Sequence, residues 1–288
     1  MNNGINERQN EEKSIRYLAA QRQLYSEAKW LNNILIIISV FFPFVLSIVE
    51  TFFKQSSIND FVSFIIVIIF CISICLTSYI SSKKDEAAEI QQYFDIYVFQ
   101  MSWNNKLFGK RHDLNLLITK KAGLLFSKKG EREKLLEWYP AKLSNRSLFE
   151  GIYSCQKTNI YWDVSLKDRF KNFSIIVIVI LIILIFIIDI IHNALIIDYM
   201  AKVVFLLPIL KWLFFDVVKP IRKDIKTLKE IVEIFDSNEL NKIEDLQIIQ
   251  SKIYNHRKSG FIIPDIFYNY FKNTDKNIVE TTIINDKK

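Results

Sequence analysis

The chain has 288 residues, half of them hydrophobic, with 23 Phe but only 6 Gly and 5 Pro, a balance that excludes a turn-rich sheet protein and favours long uninterrupted helices. Its formal net charge of +7 raises nucleic-acid binding, but no helix-turn-helix, zinc finger or ribonucleoprotein-type aromatic motif accompanies the charge, so neither DNA nor RNA is an expected partner. No phosphate-cradling loop, nucleophile elbow, HExxH or P-loop pattern is present, His112, His192 and His256 are scattered, and Cys71, Cys75 and Cys155 read as buried thiols, so no enzyme, metal or cofactor is expected.

The first segment, 1–33, contains "ERQNEEKSIRYLAAQRQLYSEAKW" at 7–30. Its alternating charge and late apolar run do not fit a cleaved secretory leader. Tyr17, Leu24, Ala28 and Leu31 recur at spacings of seven, four and three, one face of a helix able to run on into the apolar block that follows, with Arg16, Arg22, Glu27 and Lys29 on the other faces.

Four apolar blocks come next: 34–53 and 61–80 form a first transmembrane hairpin (34–81), and 173–191 and 200–218 a second (173–218). At about 1.5 Å rise per residue each block matches the roughly 30 Å hydrocarbon core of a bilayer. The fourth is weaker, carrying Lys202, Lys211 and Asp216. The short connections 54–60 and 192–199 hold one Lys and no Lys or Arg, respectively, whereas 82–172 carries 17 Lys and Arg against 11 Asp and Glu. The positive-inside rule therefore places both termini, the insert 82–172 and the tail 219–288 in the cytoplasm.

Each span is expected to project a cytosolic helix. Ile80 to Met101, through Ala87, Ala88, Phe94 and Val98, extends the second; Leu148, Ile152, Cys155, Asn159, Trp162, Leu166, Arg169 and Phe173 advance by four and three into the third; Ile221, Ile225, Leu228, Val232 and Phe235 follow the fourth behind Pro220. The region 102–147 is less regular, with Gly109 and Gly130 at turns and a cap at Ser144–Asn145. A helix stop falls at Gly260. The expected fold is an all-α integral membrane protein, four transmembrane helices in a 2+2 arrangement with cytosolic extensions forming a stalk or bundle.

The "INERQN" start, "LAAQRQLYSEAK", the 2+2 spans around an insert holding "EWYP" and "CQKTNIYWD", and "IPDIFYNY" near the end together resemble the SMODS-associated four-transmembrane effector family, over residues 5 to about 270. The resemblance implies a bacterial inner-membrane effector of antiphage defence. Its functional partner would be a nucleotidyltransferase making a cyclic oligonucleotide, and its action homo-oligomeric pore formation that permeabilises the membrane in abortive infection. The positions that match the motifs, Arg8, Gln9, Asn10, Gln21, Arg22, Tyr25, Trp138, Tyr139, Pro140, Cys155, Gln156, Asn159, Trp162 and Asp163, would mark the cytosolic apparatus, with no individual roles supplied.

Arg8, Gln9, Arg22, Tyr25, Trp162, Asp163 and Arg169 stand as gating or ligand-response residues, since Arg forks and aromatic faces suffice to hold phosphate and base; the other reading is that they cap and cross-link the helical stalk. Lys211, Asp216 and Asp189 stand as pore-lining candidates. Charge in the hydrocarbon core is expensive unless paired, hydrated or snorkelling, so Lys211 either snorkels towards the inner face or faces water in a pore. The alternative function is a membrane-anchored signalling receptor or scaffold without a pore. A reporter fused after Lys288 is expected to be active only on the cytoplasmic side; activity outside the membrane would exclude the four-span topology.

Overall fold

The computed structural model describes residues 2–42, 45, 56–191, 209–237 and 240–271, and every regular element among them is helical. In chain order these are α1 (Ile5–Gln9), α2 (Glu12–Ile36), α3 (Ser56–Phe99), α4 (Asn105–Phe108), α5 (Asn115–Phe126), α6 (Leu148–Ile191), α7 (Lys219–Asp236), α8 (Ile243–Ser259) and a short α9 at 265–271. Two 3-10 turns, Glu133–Leu135 and Ala141–Asn145, precede α6, and π-helical turns occupy Ile37–Phe41 and Trp212–Val218. The chain divides into two compact units. The first comprises Met1–Lys29, Ser81–Lys167 and Asp224–Lys288; the second comprises Trp30–Ile80 and Asp168–Lys223.

In the first unit α2 is buried on more than the one face its spacing predicts. Ser14, Ile15, Tyr17, Leu18, Ala19, Ala20, Gln21 and Leu24 are all buried, because the two alanines let neighbouring helices approach on sides that a longer side chain would keep apart. Ala87, Ala88, Phe94 and Val98 of α3 are fully buried, as are Ile152 and Cys155 of α6. The region 102–147 is more ordered than its composition indicates. It contains α5, hidden by Gly123 in its interior and declared by Ile118, Ala122 and Leu125, which share one buried face. The cap of α6 is Ser147 rather than Ser144–Asn145: its Oγ accepts the Glu150 N–H at 3.3 Å while the Glu150 carboxylate accepts the Ser147 N–H at 2.9 Å.

A polar network runs through this core. Asp95 of α3, 1% exposed, accepts from the Arg257 guanidinium of α8 at 2.5 Å, from the Tyr139 hydroxyl at 2.9 Å and from Gln250 at 2.9 Å. Gln250 also donates to Gln92 at 2.8 Å, and Gln156 of α6 donates to Gln250 at 2.9 Å. Asn159 donates to the Tyr139 hydroxyl at 3.0 Å. Burial, and then the Asp95 charge, push the Tyr139 phenol well up, so it stays protonated and can donate. Gln9 grips the backbone of the same residue, donating to its carbonyl at 3.0 Å and accepting its N–H at 2.7 Å.

The second unit has a different surface. Along α3, Phe64, Val67, Phe70, Ile72 and Ile74 are exposed, as are Ile176, Val179, Ile180, Ile182 and Ile183 along α6. Cys71 and Cys75 lie among them, exposed rather than buried. The buried line of α6 also departs from the strict four-and-three seam: beyond Leu166 it passes through Phe170 and Ser174, leaving Phe173 half exposed, the drift expected of a straight helix with 3.6 residues per turn. The Ser39 and Ser73 hydroxyls share a 2.7 Å hydrogen bond.

Among the described residues one helical stretch, Val67–Phe99, is long and apolar enough to cross a membrane by length and composition. Half of the predicted first span, the start of the fourth, the connection 192–199 and the tail beyond 271 lie outside the described residues. Helix α3 begins at Ser56, within the predicted connection 54–60, where Ser, Asn and Asp favour a helix start.

Replacing Asp95→Leu is expected to lower stability by about 3–5 kcal/mol, because it leaves the Arg257 guanidinium buried and unpaired. Tyr139→Phe should cost about 1–3 kcal/mol, through Asp95 and Asn159 atoms left short of a partner. Thermal unfolding of the detergent-purified protein checks both; unchanged transitions would remove the network from the core's stability.

Candidate functional site

The first unit encloses a cavity of about 570 Å³, within the size range of pockets for small organic ligands. Its walls come from five places in the chain: α2 (Arg22, Tyr25, Lys29), α3 (Lys84), the "EWYP" loop (Trp138, Tyr139), α6 (Asn159, Trp162, Asp163, Lys167) and the segment from His256 to Tyr268. The loop is shaped by a strained residue. Glu137 sits at φ +51, and its N–H is held at 3.0 Å by the Asn10 side chain. The "RQN" signature therefore works as a clasp: Gln9 and Asn10 bind the loop, and Arg8 donates to the Val98 carbonyl at 2.8 Å.

The lining carries seven Lys or Arg against four Asp or Glu, so its net charge is positive. Most of that charge is locally spent. Arg22 and Lys134 face Glu131 at 3.4 and 2.5 Å, Lys29 pairs with Asp265 at 2.5 Å, and Lys167 lies 3.1 Å from Asp163, 3.0 Å from Asp224 and 2.7 Å from His256 Nε2. Burial pushes the Asp163 carboxyl up, but the Lys167 ammonium and the His256 hydrogen bond outweigh it and hold Asp163 far below the usual carboxylate range. Burial raises the Tyr25 and Tyr268 phenols, so both stay neutral and able to donate.

The last wall is a strap. After α8 the chain turns at Gly260, where a Cβ would meet the His256 carbonyl oxygen at 2.8 Å, so a larger residue would push the strap outward. The Phe261 N–H then donates to Asp224 at 2.5 Å. Helix α9 is fastened twice more: Lys29 pairs with Asp265 and lies 5.1 Å from the Tyr268 ring centre, and Tyr268 packs edge-on against Trp162 at 5.5 Å.

Of the residues singled out in the sequence, Arg22, Tyr25, Trp162 and Asp163 line this one cavity. Arg8 and Gln9 do not; they support the loop that does. Arg169, Lys211 and Asp216 belong to the second unit, the last two exposed, and the Asp189 side chain lies outside the described residues. The sequence reading missed Lys84, Lys167, Arg257 and Tyr268. Lys84 looks like one more charge flanking a span, and the pairing of Lys167 with Asp224 joins residues 57 positions apart with no motif to announce it.

A protein whose described elements are all helical, with a cationic, aromatic cavity in one unit and exposed apolar helices in the other, is the class defined by these features. The chain belongs to the SMODS-associating 4TM effector domain family, whose profile matches residues 3–285. It is also similar to a protein of Bacillus cereus (strain VD146) that carries the name "Probable CBASS effector molecule", with 27% identity over 300 residues and 98% of each chain covered. No solved structure matches the chain.

Lys29→Ala is expected to cost only about 1 kcal/mol of stability, since Asp265 is half exposed and its pairing is screened, yet to free the strap. Limited proteolysis read by mass spectrometry should show faster cleavage within 261–271; an unchanged rate would mean that Lys29 does not fasten the wall.

Proposed function

We propose that the chain is an inner-membrane effector of a cyclic oligonucleotide-based antiphage signalling system, which assembles as a homo-oligomer and permeabilises the membrane when a partner nucleotidyltransferase releases its product. Family membership over nearly the whole chain carries this reading, and the name of the Bacillus cereus relative agrees with it. Residence in a bilayer is supported by the second unit, where Phe64, Phe70 and Ile176 are each more than half exposed; contiguous apolar surface of that kind is uncommon on a monomeric soluble protein. Helices α3 and α6 have 44 residues each, about twice the ~20 needed to cross a hydrocarbon core. On this reading both termini and 82–172 are cytoplasmic, and the cavity receives the signal there.

The seam of α6 is the proposed transmitter. Trp162 and Asp163 in the cavity lie on the same helix as the third apolar block, so a change at the cavity has a stiff element on which to act. Lys211 and Asp216, exposed in the isolated chain, are the proposed pore-lining charges, with Asp189.

Cells expressing the chain with the nucleotidyltransferase are expected to depolarise, as read by a membrane-potential dye, and cells lacking either component are not. Nucleotide binding without depolarisation would favour the receptor or scaffold without a pore. In bilayer recordings of the activated protein, Lys211→Glu should shift the reversal potential towards cation selectivity; an identical reversal potential would take Lys211 out of the conducting path.

A further inference from the structure

Two donors of the cavity lining stand without a partner among the described residues. The indole Nε1–H of Trp162 is buried and has no hydrogen-bond acceptor among the described residues, an arrangement that is costly in a protein interior unless a bound group completes it. The ammonium of Lys84 has no salt-bridge or hydrogen-bond partner among the described residues, whereas Arg22, Lys29, Lys134 and Lys167 are each engaged by a carboxylate. Burial lowers the affinity of Lys84 for its proton; Asp224 offsets this in part and the Lys167 ammonium adds to it. Lys84 therefore stands next to another cation that already has its anions, and it lacks one of its own.

We propose that Lys84 and the Trp162 indole N–H form an anion seat in the cavity, which takes a phosphodiester oxygen of a ligand that also carries a flat ring. An oxygen with several lone pairs can accept from an ammonium and an indole N–H together, which a carbonyl or an apolar group does less well. The aromatic walls suit the remainder of such a ligand: Trp138, Tyr139 and Tyr268 line the same cavity, and ring faces hold a base with little demand for hydrogen-bond geometry. A carboxylate-bearing ligand would fit the seat but not the rings, and a bare aromatic would leave both donors unmet. The seat rests on the reading that the cavity receives a nucleotide signal, but it concerns only where the anion lies.

The same chemistry could come from a lipid headgroup, so the test uses both sources. Full-length protein in detergent, with isotope-labelled tryptophan, would be titrated with dimethyl phosphate, with a panel of cyclic dinucleotides and with soluble glycerophosphoglycerol at millimolar concentration. The Trp162 indole N–H resonance, assigned by its loss in Trp162→Phe, should move with dimethyl phosphate and further with the dinucleotides. Lys84→Gln should weaken dinucleotide binding at least about tenfold and Trp162→Phe about three- to tenfold, while Lys120→Gln, the same charge change on an exposed residue outside the lining, should leave it unchanged. A Trp162 resonance unmoved by every probe, or equal affinities in wild type and both seat variants, would overturn the seat even if cells still depolarise on signalling. A larger shift with the glycerophosphate than with any dinucleotide would overturn the flat-ring part of the proposal. A shifted resonance in a protein that never depolarises cells would leave the seat standing and sink the effector reading.

Discussion

The first unit depends on one buried charge. Asp95 is withdrawn almost wholly from water, and a carboxylate in that position survives only if its oxygens are matched by donors. The guanidinium of Arg257 and the amide of Gln250, both on α8, and the phenol of Tyr139 from the loop before α6 do so. An apolar triad of the same volume would hold the helices together at least as firmly. What the ionic version adds is register, because α3, α8 and the loop before α6 must align for the Arg257, Gln250 and Tyr139 donors to reach Asp95 together. Tyr139 is also cavity wall, so the geometry of the cavity is tied to the same pair.

The cavity inherits a second constraint from its charge. Its cations are numerous, but most have a carboxylate in contact, and several pairs bridge segments: Lys29 reaches Asp265, Lys167 reaches Asp224, Arg22 reaches Glu131. An entering anion meets a lining that is positive in sum and neutral at most individual points. It gains most where compensation is missing, and it competes with a wall contact wherever compensation is present. Any anion that enters would therefore be coupled to the fastening of the walls through shared cations.

Much of the helical framework could be read from periodicity. Ala87, Phe94 and Val98 declared the buried face of α3, and Ile152 and Cys155 that of α6, because a helix that packs along its length repeats its apolar residues at helical spacing. Helix α5 escaped notice because Gly123 interrupts its centre, Lys121 lies on its buried face, and Leu116 and Leu124 lie on its exposed one, which blurs the apolar pattern. The "RQN" and "EWYP" stretches were conspicuous in the sequence, but their relation was not. Gln9 and Tyr139 are 130 positions apart, and their contact is a side chain gripping backbone, which leaves no complementary residue type to notice. Trp162 and Asp163 were singled out with Arg22 and Tyr25, and the four line one cavity. The charge left without a partner, Lys84, could not be found from sequence, since what distinguishes it is the pairing of its neighbours.

The assembly of the first unit from three separated stretches also sets an order in time. Asp95 and Arg257 are 162 residues apart, and at 5–20 residues per second a ribosome needs roughly 8 to 30 s to synthesise that interval. All of the second apolar pair is made within it. For those seconds α3 and α6, whose own helices form in microseconds or less, have no α8 to pack against, and the Asp95 carboxylate stays hydrated. The nascent chain thus carries its apolar blocks long before it can close the unit that would govern them. The cavity itself exists only in molecules whose final helices have been made, since residues from His256 to Tyr268 form one of its walls.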